Sequence, residues 1–256
     1  MYKSNSQLQP NLRPKVSVCM ATYNGERFIA SQLQTILKQL LPNDEVIISD
    51  DSSTDSTLDI IQQFNDERIQ LFSGQTFHSP IYNFEHALKQ ATGDIIFLSD
   101  QDDEWVDGWV DLALSELCSV SLVVCDADVI DSNGRIRSPS EAVIYRGGKR
   151  GSGLIKNIYR NGYIGCCCAF RKEVLGVALP FPRNLPWHDW WIGLVAELFF
   201  STRFVEDRKI HYRRHGGNAS PTGEISTAPL KEKLLMRWNL CLPILKRWLA
   251  VKLPVN

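Results

Sequence analysis

The sequence predicts an α/β fold: a sandwich of helices around a mostly parallel central sheet. Three observations carry this expectation. Short apolar runs alternate with stretches of helical spacing through the first 125 residues. Clusters of Gly, Pro, Asn, Asp and Ser punctuate the junctions. The chain is 256 residues long and 44% hydrophobic, enough to bury a sizeable core without disulfide staples.

The elements follow in order. Residues 1–14 are polar, contain Pro10 and Pro14, and read as a tail. The run from Val16 to Ala21 is a strand closed by Thr22-Tyr23-Asn24-Gly25. Phe28, Ile29, Leu33, Ile36, Leu37 and Leu40 mark a helix over 26–40, which Pro42-Asn43-Asp44 ends. Glu45–Ser49 is a second strand, 50–55 a loop rich in capping residues, and 56–64 a helix. Arg68–Phe72 is a third strand and Asn83–Gln90 a helix stopped near Gly93. Asp94–Ser99, helix 109–119 and Ser121–Cys125 complete the alternation. Residues 131–162 are glycine-rich and read as loops, and 163–200 are apolar and aromatic. The domain is expected over 15–225, in halves 15–125 and 126–225, followed by a basic helical segment over 226–256.

Charge and cysteine usage exclude several function classes. With 28 basic and 29 acidic residues the net charge is −1, so no global basic field exists to hold nucleic acid. Seven cysteines, three of them consecutive at 166–168, form no C-x-x-C zinc spacing and read as buried, reduced thiols of a cytoplasmic protein. Residues 1–14 lack the apolar core of a secretory leader, and no uncharged apolar run reaches the roughly 18 residues of a membrane span.

Ligands of open α/β sheets bind beyond the carboxyl ends of the strands. Three such ends carry the chemical residues of this chain: 22–24, 50–51 and 100–103. Asp100, Asp102, Asp103, Glu104 and Asp107 crowd five carboxylates into eight residues after an apolar strand. Without a counterion such crowding is unfavourable. It suits a hard divalent cation shared with substrate phosphates, or else a solvated loop that caps the next helix.

The pattern resembles the nucleotide-sugar glycosyltransferases of family 2, which have the GT-A fold. The resemblance runs from about Lys15 to Ser220. It rests on Val16–Asn24, on Val46–Asp55 and on Gly93–Asp103, in that order and at that spacing. Ala21 and Ser52 stand where the family often has Pro and Gly. The resemblance implies that Thr22, Tyr23 and Asn24 surround the base and ribose of the donor. It implies that Asp51 accepts a hydrogen bond from the base imide, selecting uridine or thymidine nucleotides; helix capping is the alternative for Asp51 and the reading for Asp50, and Asp55 reads as a cap or turn residue. It makes Asp103 the first candidate for contact with Mg²⁺ or Mn²⁺, with Asp102 facing the ribose or a metal-bound water.

On the acceptor side, Pro186–Trp191 resembles the rhamnosyltransferase-like branch. Asp189 is then the general base, with His188 and Trp190 beside it; a helix cap is the alternative for Asp189. Gly165 and Cys166 match a small-residue turn before an acceptor-side strand. His211–Asn218 resembles the family's closing loop. There Arg213 and Arg214 would clamp a diphosphate, His215 would touch metal or diphosphate, and Gly216-Gly217 would hinge a lid.

Pro229–Lys252 interleaves Lys231, Lys233, Arg237, Lys246, Arg247 and Lys252 with Leu, Ile and Trp, and Pro243 is expected to kink or divide it. It reads as a basic amphipathic membrane-surface helix, or as one docked on protein.

The expected activity is inverting transfer of a sugar, from dTDP-rhamnose or a UDP-hexose, to a hydroxyl of a glycan or lipid-linked glycan in surface polysaccharide synthesis. The expected location is cytoplasmic, with peripheral contact at the inner membrane face. A nucleotidyltransferase and a non-catalytic scaffold of the same fold are the alternatives.

Overall fold

The computed structural model describes residues 13–137, 151–216 and 229–252. Most of the expected tail, part of the glycine-rich stretch, Gly217 and Asn218 of the expected hinge, and 226–228 lie outside the described residues.

The first half alternates as its periodicity requires. β1 (Val16–Thr22), α1 (Ile29–Leu37), β2 (Glu45–Asp50), α2 (Thr57–Gln63), β3 (Ile69–Phe72), α3 (Pro80–Gln90) and β4 (Ile95–Asp100) follow one another. β1, β2 and β4 are buried almost throughout, because helices cover both faces of the sheet. β5 (Glu104–Trp105), α4 (Trp109–Leu117), β6 (Leu122–Ile130), α5 (Leu154–Tyr159), β7 (Cys168–Arg171), α6 (Glu173–Ala178), α7 (His188–Phe199), β8 (Thr202–Arg213) and α8 (Leu230–Lys252) complete the chain.

One eight-stranded sheet has the order β3-β2-β1-β4-β7-β6-β8-β5. β7 and β5 run against the other strands. The register sets Thr22 beside Asp50 and Ala21 beside Asp100, so the ends of β1, β2 and β4 form one rim.

Three differences from the sequence expectation are physical. α5 lies within the stretch read as loops: Gly153 N–H and the Asn157 side chain bind the Glu197 carboxylate, which holds the short helix to α7. β8 occupies residues expected to be a closing loop as far as Arg213. Its strand signal is weak because only Ile210, Tyr212 and Arg213 are buried, while charged residues face out. α8 is a single helix with Pro243 inside it, and it docks on the domain by burying Leu240 and Ile244.

Candidate active site

The rim begins at the end of β1. Thr22 is buried, and its hydroxyl donates to Asp50 at 2.8 Å. Asp50 also accepts the Ser53 amide at 2.8 Å, so it closes the turn after β2. Asn24 adopts φ 48, and its Oδ1 accepts the Thr54 amide at 2.8 Å, latching the two loops together. Tyr23 stays 56% exposed, free to meet a flat ring. Its backbone is held by Gln101, whose side chain accepts from Tyr23 N–H and donates to Tyr23 C=O, each at 2.9 Å. Gly25 sits where a Cβ would collide with the Gln101 side chain. Sequence reading missed Gln101, whose only signal is one amide set among carboxylates.

Asp51 is buried and accepts the backbone N–H groups of Phe77 and Ser79, the latter at 3.1 Å. Each carboxylate oxygen can accept two hydrogen bonds and takes one from these amides, so room remains for a further donor.

The acidic end of β4 divides in two. Asp102 Oδ2 lies 2.8 Å from His215 Nε2, and both side chains keep partial exposure, 16% and 18%. Asp103 is fully buried: its Oδ1 accepts Arg213 N–H at 2.8 Å, and its Oδ2 has no hydrogen-bond partner among the described residues. Ligand atoms of Asp100, Asp103 and Cys166 all lie within 4.8 Å of one another. Burial, then repulsion from Asp102 and Asp189, pushes Asp100 up to about 8. Burial, then Asp102 and Asp100, holds Asp103 well above the usual carboxylate range. Burial and mutual repulsion thus disfavour charge on both Asp100 and Asp103.

Arg213 differs from the expected diphosphate clamp. Its side chain is buried; the guanidinium donates to Asp102 C=O at 2.8 Å, to Asp131 C=O at 3.1 Å and to the Glu104 carboxylate. It also lies 4.8 Å from the Phe28 ring centre, and the His215 ring lies 4.9 Å from the same centre. Arg213 thus braces the rim from behind. Arg214, half-buried and tied by its N–H to Ile130 C=O at 2.9 Å, remains the arginine of that pair nearer solvent. Phe28 was read only as a core position of its helix.

Across the rim stand the turn Gly165–Cys167 and the start of α7. A Cβ on Gly165 would come 3.3 Å from His188 Nε2 and 3.6 Å from Asp189 Cβ, so the turn packs closely against the start of α7. Burial pushes Asp189 up to about 6, against the pull of the Trp190 and Gly165 amides. His188 stacks on Phe84 with ring centres 4.0 Å apart. Burial pushes it down to about 3, and neither ring nitrogen has a hydrogen-bond partner among the described residues. It is a neutral imidazole beside the base.

Trp190 does not offer a face to an acceptor. It is buried, and its indole N–H donates to Asn157 C=O at 2.8 Å, fastening α7 to α5. Trp191 is likewise buried, bonded to Ala178 C=O at 2.9 Å. Large amphipathic rings at a helix start satisfy the core before they satisfy a ligand.

The model of the family described as Glycosyl transferase family 2 matches residues 17–177. The chain belongs to glycosyl transferase family 2. WfgD of Escherichia coli, named a UDP-Glc:α-D-GlcNAc-diphosphoundecaprenol β-1,3-glucosyltransferase, is 30% identical over 172 residues, which are 65% of this chain and 64% of WfgD. The dTDP-rhamnosyl transferase RfbG of Shigella flexneri is 28% identical over 78% of this chain and 72% of its own. A stretch 43% identical to the putative glycosyltransferase EpsE of Bacillus subtilis covers 36% of this chain and 34% of that protein. The match thus spans about a third of EpsE and just under two-thirds of WfgD. Among solved structures, S. aureus TarS 1–349 in complex with UDP-GlcNAc has TM-score 0.69 at 21% identity, over 90% of this chain and 66% of that one. The Pyrobaculum calidifontis mannosyltransferase PcManGT, in complex with GDP-Man and Mn²⁺, has TM-score 0.63 at 19% identity, over 96% and 77%. The fold of this family 2 chain is the GT-A fold.

Proposed function

We propose that this family 2 chain transfers a sugar, with inversion, from a uridine or thymidine diphosphate donor to a hydroxyl of a lipid-linked glycan. The observation that carries the reading is the nearness of two groups at one rim: the partly exposed Asp102–His215 pair at the end of β4, and the half-buried, proton-hungry Asp189, whose charge is felt by Asp100 in the same acidic segment. A displacement reaction needs leaving-group stabilisation on one side and a base on the other.

Carboxylate and imidazole donors fit a divalent cation, and the imidazole suits Mn²⁺ better than Mg²⁺. Asp102 and His215 would hold the ion, which when bound neutralises the departing diphosphate. Their partial exposure leaves an open side for phosphate oxygens, which fully buried Asp103 lacks. Asp103 instead anchors Arg213 N–H and so aims the residues that follow it. Asp51 accepts the imide N–H of uracil or thymine, and exposed Tyr23 packs on the base. Arg214 meets the diphosphate from the solvent side.

Asp189 takes the acceptor hydroxyl proton. With its carboxyl near 6 it is mostly ionised at neutral pH yet basic enough to accept a proton in the transition state. His188 stays neutral, so it adds no positive charge that would weaken the base.

The WfgD and RfbG names support both a glucose and a rhamnose donor, and the diphosphoundecaprenol of WfgD supports a lipid-linked acceptor. Such an acceptor implies peripheral contact with the inner face of a membrane and a place in surface polysaccharide synthesis. The experiment is incubation of the purified chain with UDP-glucose or dTDP-rhamnose and a polyprenyl-diphosphate sugar. The reading requires a product whose new linkage is inverted relative to the donor by NMR. Retention, or no transfer from either nucleotide class with Mn²⁺, would overturn it.

A further inference from the structure

α8 carries apolar side chains on two opposite sides. At roughly 3.6 residues per turn, Leu240 and Ile244 share the side that packs on the domain, and both are buried. Leu234, Trp238, Leu242, Leu245 and Leu249 share the other side, and all are exposed; Trp238 keeps 63% of its surface and Leu245 52%. This differs from the amphipathic helix expected from sequence, in which one apolar face opposes one polar face. α5 extends the exposed surface with Ile155, 84% exposed, and Tyr159, 76% exposed. Arg237 joins the two helices, donating to Tyr159 C=O with its guanidinium 5.8 Å from the Tyr159 ring centre. Scattered exposed apolar residues are ordinary, but a contiguous set on one helix side is an interaction surface.

We propose that the outer side of α8, with Ile155 and Tyr159 of α5, docks on an anionic lipid bilayer. Charge chooses between a membrane and a second copy of this chain. Lys231 and Lys246 stand exposed on α8, and Glu232 is the only carboxylate in the helix. A symmetric pairing of two copies would set lysines against lysines with almost no acid to match them. An anionic bilayer matches both parts, taking the leucines and Trp238 among its acyl chains and the lysines at its headgroups. Among the described residues no helix is long and apolar enough to cross a membrane, so the contact is along the surface.

The docking surface shares a scaffold with the proposed base. α5 receives the Trp190 indole N–H at Asn157 C=O. From α8, Arg247 donates to Leu179 C=O and Pro180 C=O, each at 2.8 Å, and lies 5.9 Å from the Trp191 ring. Trp190 and Trp191 directly follow Asp189. A bilayer under α5 and α8 would thus present a lipid-linked hydroxyl beside Asp189; that placement rests on the transferase reading, whereas the lipid contact does not.

The test is flotation of the full chain with vesicles of phosphatidylcholine alone, or with phosphatidylglycerol added, in low and high salt. UDP binding is measured on the same samples. The unmodified chain should float with the anionic vesicles and be released by salt. Leu242→Glu/Leu245→Glu should lower vesicle binding at least about tenfold while UDP binding and the circular dichroism spectrum stay unchanged. Lys231→Glu/Lys246→Glu should abolish the preference for anionic vesicles. Absence of vesicle binding with UDP binding intact would overturn the docking surface and leave the transferase reading standing. So would equal binding by the Leu242→Glu/Leu245→Glu variant. A dimer by sedimentation that Leu242→Glu/Leu245→Glu dissolves, without vesicle binding, would overturn it in favour of a second copy. Vesicle binding without UDP binding would support the surface while counting against the transferase reading.

Discussion

His215 Nε2 lies 2.8 Å from Asp102 Oδ2, across 113 positions of chain. β8 makes the meeting possible: it returns along β6 and ends at Arg213, whose N–H is captured by Asp103. Phe28 then supports the His215 ring from one side. The pair, assembled by sheet register, is the proposed cation seat. Asp102→Asn or His215→Ala should weaken Mn²⁺-dependent UDP binding by about tenfold or more, the worth of one charge-assisted ligand. Metal-free UDP binding should change much less. Titration calorimetry with and without Mn²⁺ reads the difference; an Asp102→Asn variant with the same Mn²⁺ dependence as the unmodified chain would remove the pair from the metal site.

Asp189→Asn should leave donor binding near its original level and lower the transfer rate by roughly 10²–10⁴-fold. The pH profile carries a sign. Burial raises the Asp189 carboxyl to about 6, so the base is protonated and idle below that value and active above it. The rate should fall about tenfold per pH unit below about 6. A steady-state profile flat down to pH 5 would deny Asp189 the role.

Asp51→Asn should weaken UDP binding by about tenfold, because a side chain with two acceptor oxygens, each bonded to a backbone amide, becomes an amide with one. Discrimination against GDP should shrink with it. Competition binding of UDP against GDP measures both effects, and an unchanged ratio would separate Asp51 from base selection.

Phe28→Ala should act at a distance from any ligand. The buried ring touches both Arg213 and His215, and its loss frees both. Stability should drop by about 3 kcal/mol, and Mn²⁺-dependent UDP binding should weaken. Phe28→Tyr should retain both. Urea unfolding paired with calorimetry checks this, and a variant that loses stability alone would reduce Phe28 to packing.

Glu45 tests the other end of the sheet. Burial raises its carboxyl, but hydrogen bonds from Ser17, Lys15 and Thr92 overcome this and hold it at about 2. A carboxyl depressed in the fold stabilises above its unfolded pKa of about 4.3 and loses that contribution as pH falls toward 2. Glu45→Gln should therefore be less stable than the unmodified chain at pH 7, by on the order of 2 kcal/mol. The gap should narrow between pH 4 and pH 2. Equal unfolding midpoints at pH 7 would contradict the hydrogen-bond account.

β1, β2 and β4 were legible because strands covered on both faces must be apolar throughout, and few other elements look like that. β8 was not, because its partners on either side supply the pairing while its own side chains remain charged. α5 hid among glycines, held by Glu197 forty residues onward. At the site, local motifs pointed to the rim residues, but which acid faces solvent is decided by register. Asp102 and Asp103 are neighbours in sequence; one meets His215 and the other is sealed beneath Arg213. The burial of Trp190 was illegible for a related reason: its partner Asn157 lies in a helix that local pattern does not reveal.

The most direct measurement is calorimetric titration of the purified chain with UDP, dTDP and GDP, each with and without Mn²⁺. A pyrimidine nucleotide site built on Asp51, Asp102 and His215 requires UDP or dTDP to bind with Mn²⁺, to bind more weakly without it, and to outcompete GDP. Equal binding of GDP, or binding of UDP and dTDP indifferent to Mn²⁺, would contradict it.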